Sequence, residues 1–222
     1  MKRVYIEAIV EGNFSLSQDI IERLPRRVGL VFPVQCADLA SQLKEILEKN
    51  GIDVLTGKGN QKRQGQILGC DVSTIRTIKN DVDAFVYLGT GQFHPIAVAL
   101  ESDKPVYGIN PETGEMTDTV RKEADRIKKE IKIKYFKFIH GKTIGLLIST
   151  KSGQFNMTWL NEFKKKFPDK KFYTFAFETL NIPFLDNFPF IDLFVTTACP
   201  RLQEDSPKIL DFDEIRKIEL GV

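Results

Sequence analysis

Two stretches of this 222-residue chain repeat one order of apolar and amphipathic segments, and that order limits the folds open to it. "RRVGLVFPVQ" (26–35) and "KTIGLLISTKSGQ" (142–154) are continuous apolar runs that end in polar loops. Each is followed by a segment of helical spacing, "ADLASQLKEILEKNG" (37–51) and "MTWLNEFKKKF" (157–167). In the first of these, Leu39, Leu43, Ile46 and Leu47 fall on one face and Gly51 supplies a stop. A second strand follows in each copy, "IDVLTG" (52–57) and "KKFYTFAF" (170–177). A third comes after it: "DVDAFVYLGTGQFHP" (81–95) matches "FIDLFVTTACPR" (190–201) as an acidic residue, a buried strand and a small-residue loop containing proline. Short apolar strands alternating with helices predict an α/β fold of two similar, doubly wound, mainly parallel-sheet units facing a shared cleft. The units are predicted over 25–138 and 139–222.

Between the repeats, "GQILGCDVSTIRTIK" (65–79) reads as a loop entering a helix, and "IAVALES" (96–102) as a short helix. "PVYGINPETGEM" (105–116) reads as a strand with a turn, and "DTVRKEADRIKKEIKIKYFKF" (118–138) as a long helix. Residues 1–24 lie outside the repeat. They predict one strand, "RVYIEAIVEG", and one helix, "SLSQDIIERLP", that complete or bridge a sheet.

Charge narrows the function. A formal net charge of +2, with both signs interspersed, gives no electrostatic footprint of a nucleic-acid binder. The basic run "RKEADRIKKEIKIK" has helical spacing and reads as a solvated helix face. No apolar stretch approaches the roughly 20 residues of a bilayer span, and the N-terminus reads as a strand, not a signal peptide. The three cysteines, Cys36, Cys70 and Cys199, are widely spaced. An odd count without dense spacing argues for a reducing, cytoplasmic setting, and without C-x-x-C any metal site must be assembled from distant loops.

Ligands of open parallel sheets bind beyond the carboxyl ends of the strands. That rule singles out the loops "VQCAD", "GQILGCD", "GTGQFHP", "STKSGQ" and "TTACPR". In "GTGQFHP", Gly89, Thr90, Gly91, Gln92 and His94 precede a helix, where backbone N–H groups favour a carboxylate or phosphate. The same residues also suit an ordinary strand–helix turn, and His94 a structural imidazole. Cys70 and Cys199 each follow small residues at predicted loop edges, positions from which thiolates hold an iron–sulfur cluster. Each also fits the small buried hydrophobe that free cysteine usually is. Cys36 opens a helix, where core burial is the preferred reading.

"GQILGCD", "LGTGQFHPIAVAL", "KPVYGINPETGE", "STKSGQ" and "IDLFVTTACPR" occur in the order found in the diphthamide-synthesis radical enzymes, the 2-(3-amino-3-carboxypropyl)histidine synthases, and the chain resembles that family from about Lys2 to its end. The resemblance implies a fold of three similar α/β domains, of which this chain covers the second and third. It implies a [4Fe–4S] cluster with one cysteine from each domain, and Cys70 and Cys199 stand at the second and third ligand positions. It also implies cleavage of S-adenosylmethionine (AdoMet) to a 3-amino-3-carboxypropyl radical, and transfer of that group to a histidine of translation elongation factor 2.

On that footing the "GTGQFHP" loop becomes the cradle for AdoMet, with Gln154 and Thr197 as further contacts. The first domain and its cysteine are missing, which leaves three accounts open. The chain is a fragment, or it pairs with a subunit that supplies the third cysteine in a homo- or hetero-dimer, or Cys36 substitutes as third ligand. Two rivals keep the fold and change the function. One is a non-catalytic or partner-dependent subunit. The other is a phosphate-binding α/β protein with inert cysteines. A Rossmann dehydrogenase is disfavoured, because no G-x-G-x-x-G follows the first strand.

Overall fold

The computed structural model describes residues 6–118, 120–151 and 158–220, in two compact units, Met1–Asp125 and Arg126–Val222. The first unit contains helix α1 (Gln18–Arg23), strand β1 (Arg27–Val31), helix α2 (Ala37–Lys49), β2 (Asp53–Leu55), α3 (Ser73–Arg76), β3 (Ala84–Leu88), α4 (Phe93–Glu101), β4 (Val106–Ile109) and β5 (Met116–Thr117). Helix α5 (Val120–His140) carries the boundary between the units. The second unit continues with β6 (Thr143–Ser149), α6 (Thr158–Lys166), β7 (Lys171–Phe177), β8 (Leu193–Thr196), α7 (Leu202–Asp205), β9 (Ile209–Asp211) and α8 (Phe212–Leu220).

The sheets run β2-β1-β3-β4-β5 and β7-β6-β8-β9. Every pairing is parallel except that of β5, which returns antiparallel to β4 after the Asn110–Glu115 turn. The first four strands of one sheet and the four of the other follow the same spatial order, so the recurrence in sequence is a recurrence in topology. In each sheet the chain leaves the first strand in one direction and later returns on its other side. The switch points, where such sheets open a crevice, lie between β1 and β3 and between β6 and β8.

One contact recurs at both switch points. Gly29 of β1 lies beside Phe85 of β3 in register, and Gly145 of β6 lies beside Phe194 of β8. A Cβ on Gly29 would stand 2.7 Å from the Phe85 ring, and a Cβ on Gly145 2.3 Å from the Phe194 ring. Each glycine is therefore a slot for the neighbouring strand's phenylalanine, and both rings are fully buried.

Residues 6–17 form no strand, contrary to the expectation for "RVYIEAIVEG". Their polar groups find partners on and beside α2 instead. The Val10 N–H donates to Gln35 O, the Phe14 N–H to Gln42 Oε1, and the Gln42 carboxamide to Gly12 O. Phe14, Ile21 and Leu24 then join Leu39, Leu43 and Leu47 in the core of the first unit, so the N-terminal segment packs as part of that unit. The unit boundary falls inside α5, N-terminal of the predicted position 138. Arg121, near the start of α5, donates to the carbonyls of Ala99, Ser102 and Lys104 in the first unit. Farther along, Phe138 stacks with Phe163 of α6, which meets Phe212 of α8 edge-on. No helix among the described residues is long and apolar enough to cross a membrane.

Gly29→Ala or Gly145→Ala should each destabilise its unit by about 1–3 kcal/mol, because the ring must move or the strands must part. Urea unfolding followed by circular dichroism checks this. The equivalent change at Gly91, where a Cβ meets nothing within 4 Å, would strain only its loop backbone.

Candidate functional site

In the first unit the chain between β2 and α3 runs along the carboxyl end of β1. Phe32 donates its N–H to Gly65 O and accepts one from Ile67. Directly after Ile67 the backbone closes a tight turn. Leu68 and Asp71 exchange N–H···O bonds of 2.9 and 3.1 Å, which puts Gly69 and Cys70 at the tip. Cys70 is exposed there and forms no disulfide. The tip rests on α4: a Cβ on Gly69 would fall 1.8 Å from the Phe93 ring, so only glycine lets Phe93 cover the turn.

Phe93 also brings the Cys70 turn to the "GTGQFHP" segment. The structure starts α4 at Phe93, so His94 and Pro95 lie in its first turn and not in the predicted loop. Proline is tolerated there because first-turn N–H groups lack intrahelical partners. Gln92 is the exposed N-cap residue, and its side chain makes no capping bond. His94 is oriented from two sides. Its Nδ1 lies 3.2 Å from the Tyr87 hydroxyl, its ring stacks on Tyr87 at 5.6 Å, and Phe93 meets it edge-on at 4.9 Å. Burial, with a smaller effect from nearby Cys36, pushes the Tyr87 phenol far above its ordinary range, so Tyr87 is a neutral hydrogen-bonding partner.

The glycines of this loop do different work. A Cβ on Gly89 would strike the Tyr87 hydroxyl at 2.3 Å, so Gly89 makes room for Tyr87. Gly91, at φ +72°, needs a left-handed backbone and borders open space, and Thr90 beside it is exposed.

Cys36 lies elsewhere. It is 6% exposed, packed in the core among residues such as Leu39, Val86 and Leu88, and burial pushes its thiol up. A desolvated thiol disfavours the thiolate that a metal requires, so this position matches the core reading and not that of a substitute ligand.

In the second unit, Cys199 follows β8 at the β6–β8 switch point. Thr196 ends the strand fully buried and accepts the Ala198 N–H at its Oγ1, 3.1 Å away. The carbonyls of Cys199 and Pro200 accept from Leu202 and Gln203, which winds the chain into α7. Cys199 is half-buried with a free thiol, and the hydroxyl of neighbouring Thr197 is buried without a hydrogen-bond partner. Gln154, with residues 152 and 153 of the "STKSGQ" loop, lies outside the described residues. Among the described residues, no group of three or more His, Cys, Asp and Glu side chains is placed to hold a metal ion.

Sequence reasoning missed the polar floor beneath this loop. Asp211, at the end of β9, pairs in register with Thr196. Its N–H donates to Gln203 Oε1 at 3.1 Å, and its Oδ1 accepts the Asp213 N–H at the start of α8. The buried ammonium of Lys134 donates to Gln203 O, and burial pushes its pKa down. Burial pushes the Asp211 carboxyl up to about 7, partly offset by the Asp213 N–H. The short run "KILD" signals a strand too weakly to be read ahead of the structure.

A carboxyl whose folded pKa is raised stabilises the fold fully below its unfolded pKa and loses that contribution as pH rises toward the folded value. The second unit should therefore weaken between about pH 4 and 7. Asp211→Asn keeps the cap acceptor and should flatten this dependence, gaining up to about 4 kcal/mol relative to wild type above pH 7. Thermal melts across pH 4–8 measure it.

A model of the diphthamide synthesis protein family matches residues 2–213. The 2-(3-amino-3-carboxypropyl)histidine synthase of Pyrococcus horikoshii is 26% identical over 189 residues, covering 83% of this chain and 53% of that protein. Subunit 1 of the enzyme from Encephalitozoon cuniculi is 24% identical over 216 residues, covering 94% of this chain and 60% of that protein. The crystal structure of Dph2 from Pyrococcus horikoshii superposes with a TM-score of 0.76 at 26% identity, over 91% of this chain and 60% of that one. The crystal structure of the same protein with a 4Fe-4S cluster matches equally well. The chain thus spans little more than half the length of these relatives.

Proposed function

The chain belongs to the diphthamide synthesis protein family, and from that premise we propose that it forms part of a [4Fe–4S] enzyme that transfers a 3-amino-3-carboxypropyl group from AdoMet to a histidine of translation elongation factor 2. This is the first step of diphthamide biosynthesis, in the cytoplasm. The observation that carries the reading is the Cys70 turn: an exposed thiol at the tip of a two-residue hairpin, held against the start of α4 by Phe93 on Gly69.

The donors present fit a cluster better than a lone ion. Cys70 and Cys199 form no disulfide and lie outside the apolar core, both in loops beyond the carboxyl ends of strands. Two thiolates are one short of the three that leave a single cluster iron open to AdoMet. Buried Cys36 is a poor source of the third. The third then comes from outside these 222 residues, from a further domain or from a partner in a dimer, and activity depends on it.

When bound, the cluster supplies the electron that breaks the bond between the AdoMet sulfur and its aminocarboxypropyl carbon. The chain's own residues hold and orient. Gly91 and Thr90 leave the mouth of the loop open, and Gln92 and His94 offer polar groups to the amino-acid or ribose portion of AdoMet. Tyr87 and Phe93 keep the His94 ring from turning. Thr197, with its unpartnered hydroxyl, gives the Cys199 loop a hydrogen-bonding group of its own.

Anaerobic reconstitution of the full chain with iron and sulfide, with and without a thiol-bearing partner subunit, tests the reading by visible and EPR spectroscopy. Cys70→Ser and Cys199→Ser should each abolish stable cluster, while Cys36→Ser leaves it intact. A cluster that survives loss of both loop cysteines would remove them as ligands, and a wild-type chain that takes up no cluster even with its partner would favour inert thiols in a phosphate-binding protein. His94→Ala should weaken AdoMet binding about tenfold by calorimetry, the usual effect of losing one hydrogen bond to a charged ligand.

A further inference from the structure

The turn that carries Cys70 is clamped from outside by a segment that the mechanism above does not use. Asp71, the residue after the cysteine, accepts hydrogen bonds at both of its carboxylate oxygens. Oδ1 accepts the Ser73 N–H at 2.9 Å, and Oδ2 accepts the Gln61 carboxamide at 2.7 Å. The first bond folds the chain back toward α3. The second ties the turn to the loop 57–63, which lies against the same residues at further points. Asn60 donates its N–H to Ser73 Oγ at 2.9 Å, and Thr74 donates its hydroxyl to Gly57 O at 2.6 Å.

Two glycines make so close an approach possible. A Cβ on Gly57 would fall 2.1 Å from Thr74 O, and one on Gly59 would fall 2.5 Å from Ser73 Oγ. The loop is anchored in turn. Lys58 caps the carbonyls of Gln61 and Lys62, and Lys62 and Arg63 both pair with Glu7. Phe93 closes the opposite side over Gly69. The two residues of the tip are thus restrained on both sides, while the thiol is left exposed.

We infer that Asp71 is a positioning residue that, with Gln61, sets the direction of the Cys70 sulfur before any cluster arrives. The inference rests on the reading of Cys70 as a cluster ligand. Groups that hydrogen-bond around a metal ligand commonly change metal affinity by about 10- to 100-fold when removed, because a ligand free to turn must be ordered by the metal itself. The Asp71 carboxylate is placed to act on the turn and not on AdoMet, since both its oxygens face protein donors.

The full chain tests this, first without iron and then reconstituted with its partner subunit. In the cluster-free protein, Asp71→Ala should speed amide hydrogen exchange over residues 68–73 about tenfold. Asp71→Asn should stay near wild type, because its carbonyl still accepts from Ser73 and Gln61 turns its own oxygen to the new amide. After reconstitution, iron loss to a chelator should run about tenfold faster in Asp71→Ala and near the wild-type rate in Asp71→Asn. Wild-type exchange and iron loss in Asp71→Ala would overturn the inference. So would an Asn variant as impaired as the Ala variant, which would assign the effect to charge. Should Asp71→Ala not fold, Gln61→Ala decides, and unchanged exchange in the turn overturns the clamp. A wild-type protein that takes up no cluster sinks the ligand reading instead, a result distinct from a loaded cluster with identical exchange in every variant.

Discussion

The close packing of a glycine against a phenylalanine across the central strand pair of each sheet is the constraint from which the rest of the structure follows. Gly29 with Phe85, and Gly145 with Phe194, leave no room for slippage, since a shift of one residue would drive a Cβ into a ring. Fixing those registers fixes where β3 and β8 stop, and so where the loops at 89–92 and 197–201 leave their sheets. The loops are placed by packing deep in the core and not by their own sequences, which are free to carry polar and reactive groups.

Much of this architecture could be read directly from the residues. The alternation of "RVGLV" with "ADLASQLKEIL" admits little but a strand and an amphipathic helix, and both formed where expected. The repeat identified the matching strands of the two sheets. What stayed hidden depended on tertiary partners. Residues 6–10 have the composition of a strand, yet the Gln35 carbonyl at Val10, and the Gln42 side chain at Gly12 and Phe14 just beyond, hold this part of the chain as irregular structure. β9 is only three residues long, and its burial comes from β8 rather than from any pattern of its own. α8 was likewise unread, although Asp211 caps it.

The candidate site was legible in part and for one reason: loops after parallel strands are where such folds bind ligands. That rule found the segments holding Cys70, His94 and Cys199 but could not rank the three cysteines. Cys36 and Cys199 both follow an apolar strand by only a few residues. One turns into the core and the other toward the surface because of which helix comes next and how it packs. Nor could spacing reveal that Tyr87, seven residues from His94, holds its ring, or that Gln61 reaches Asp71 across ten residues of loop.

The unequal burial of the thiols has a further consequence for how this protein ages in air. Oxidants act fastest on accessible sulfur, so damage begins at the exposed turn and spares the thiol sealed among leucines. A preparation handled aerobically would therefore accumulate molecules cross-linked through Cys70, with the fold intact and its core cysteine still reduced. Dimers of that kind dissolve in reductant, which separates them from any assembly held by surface complementarity.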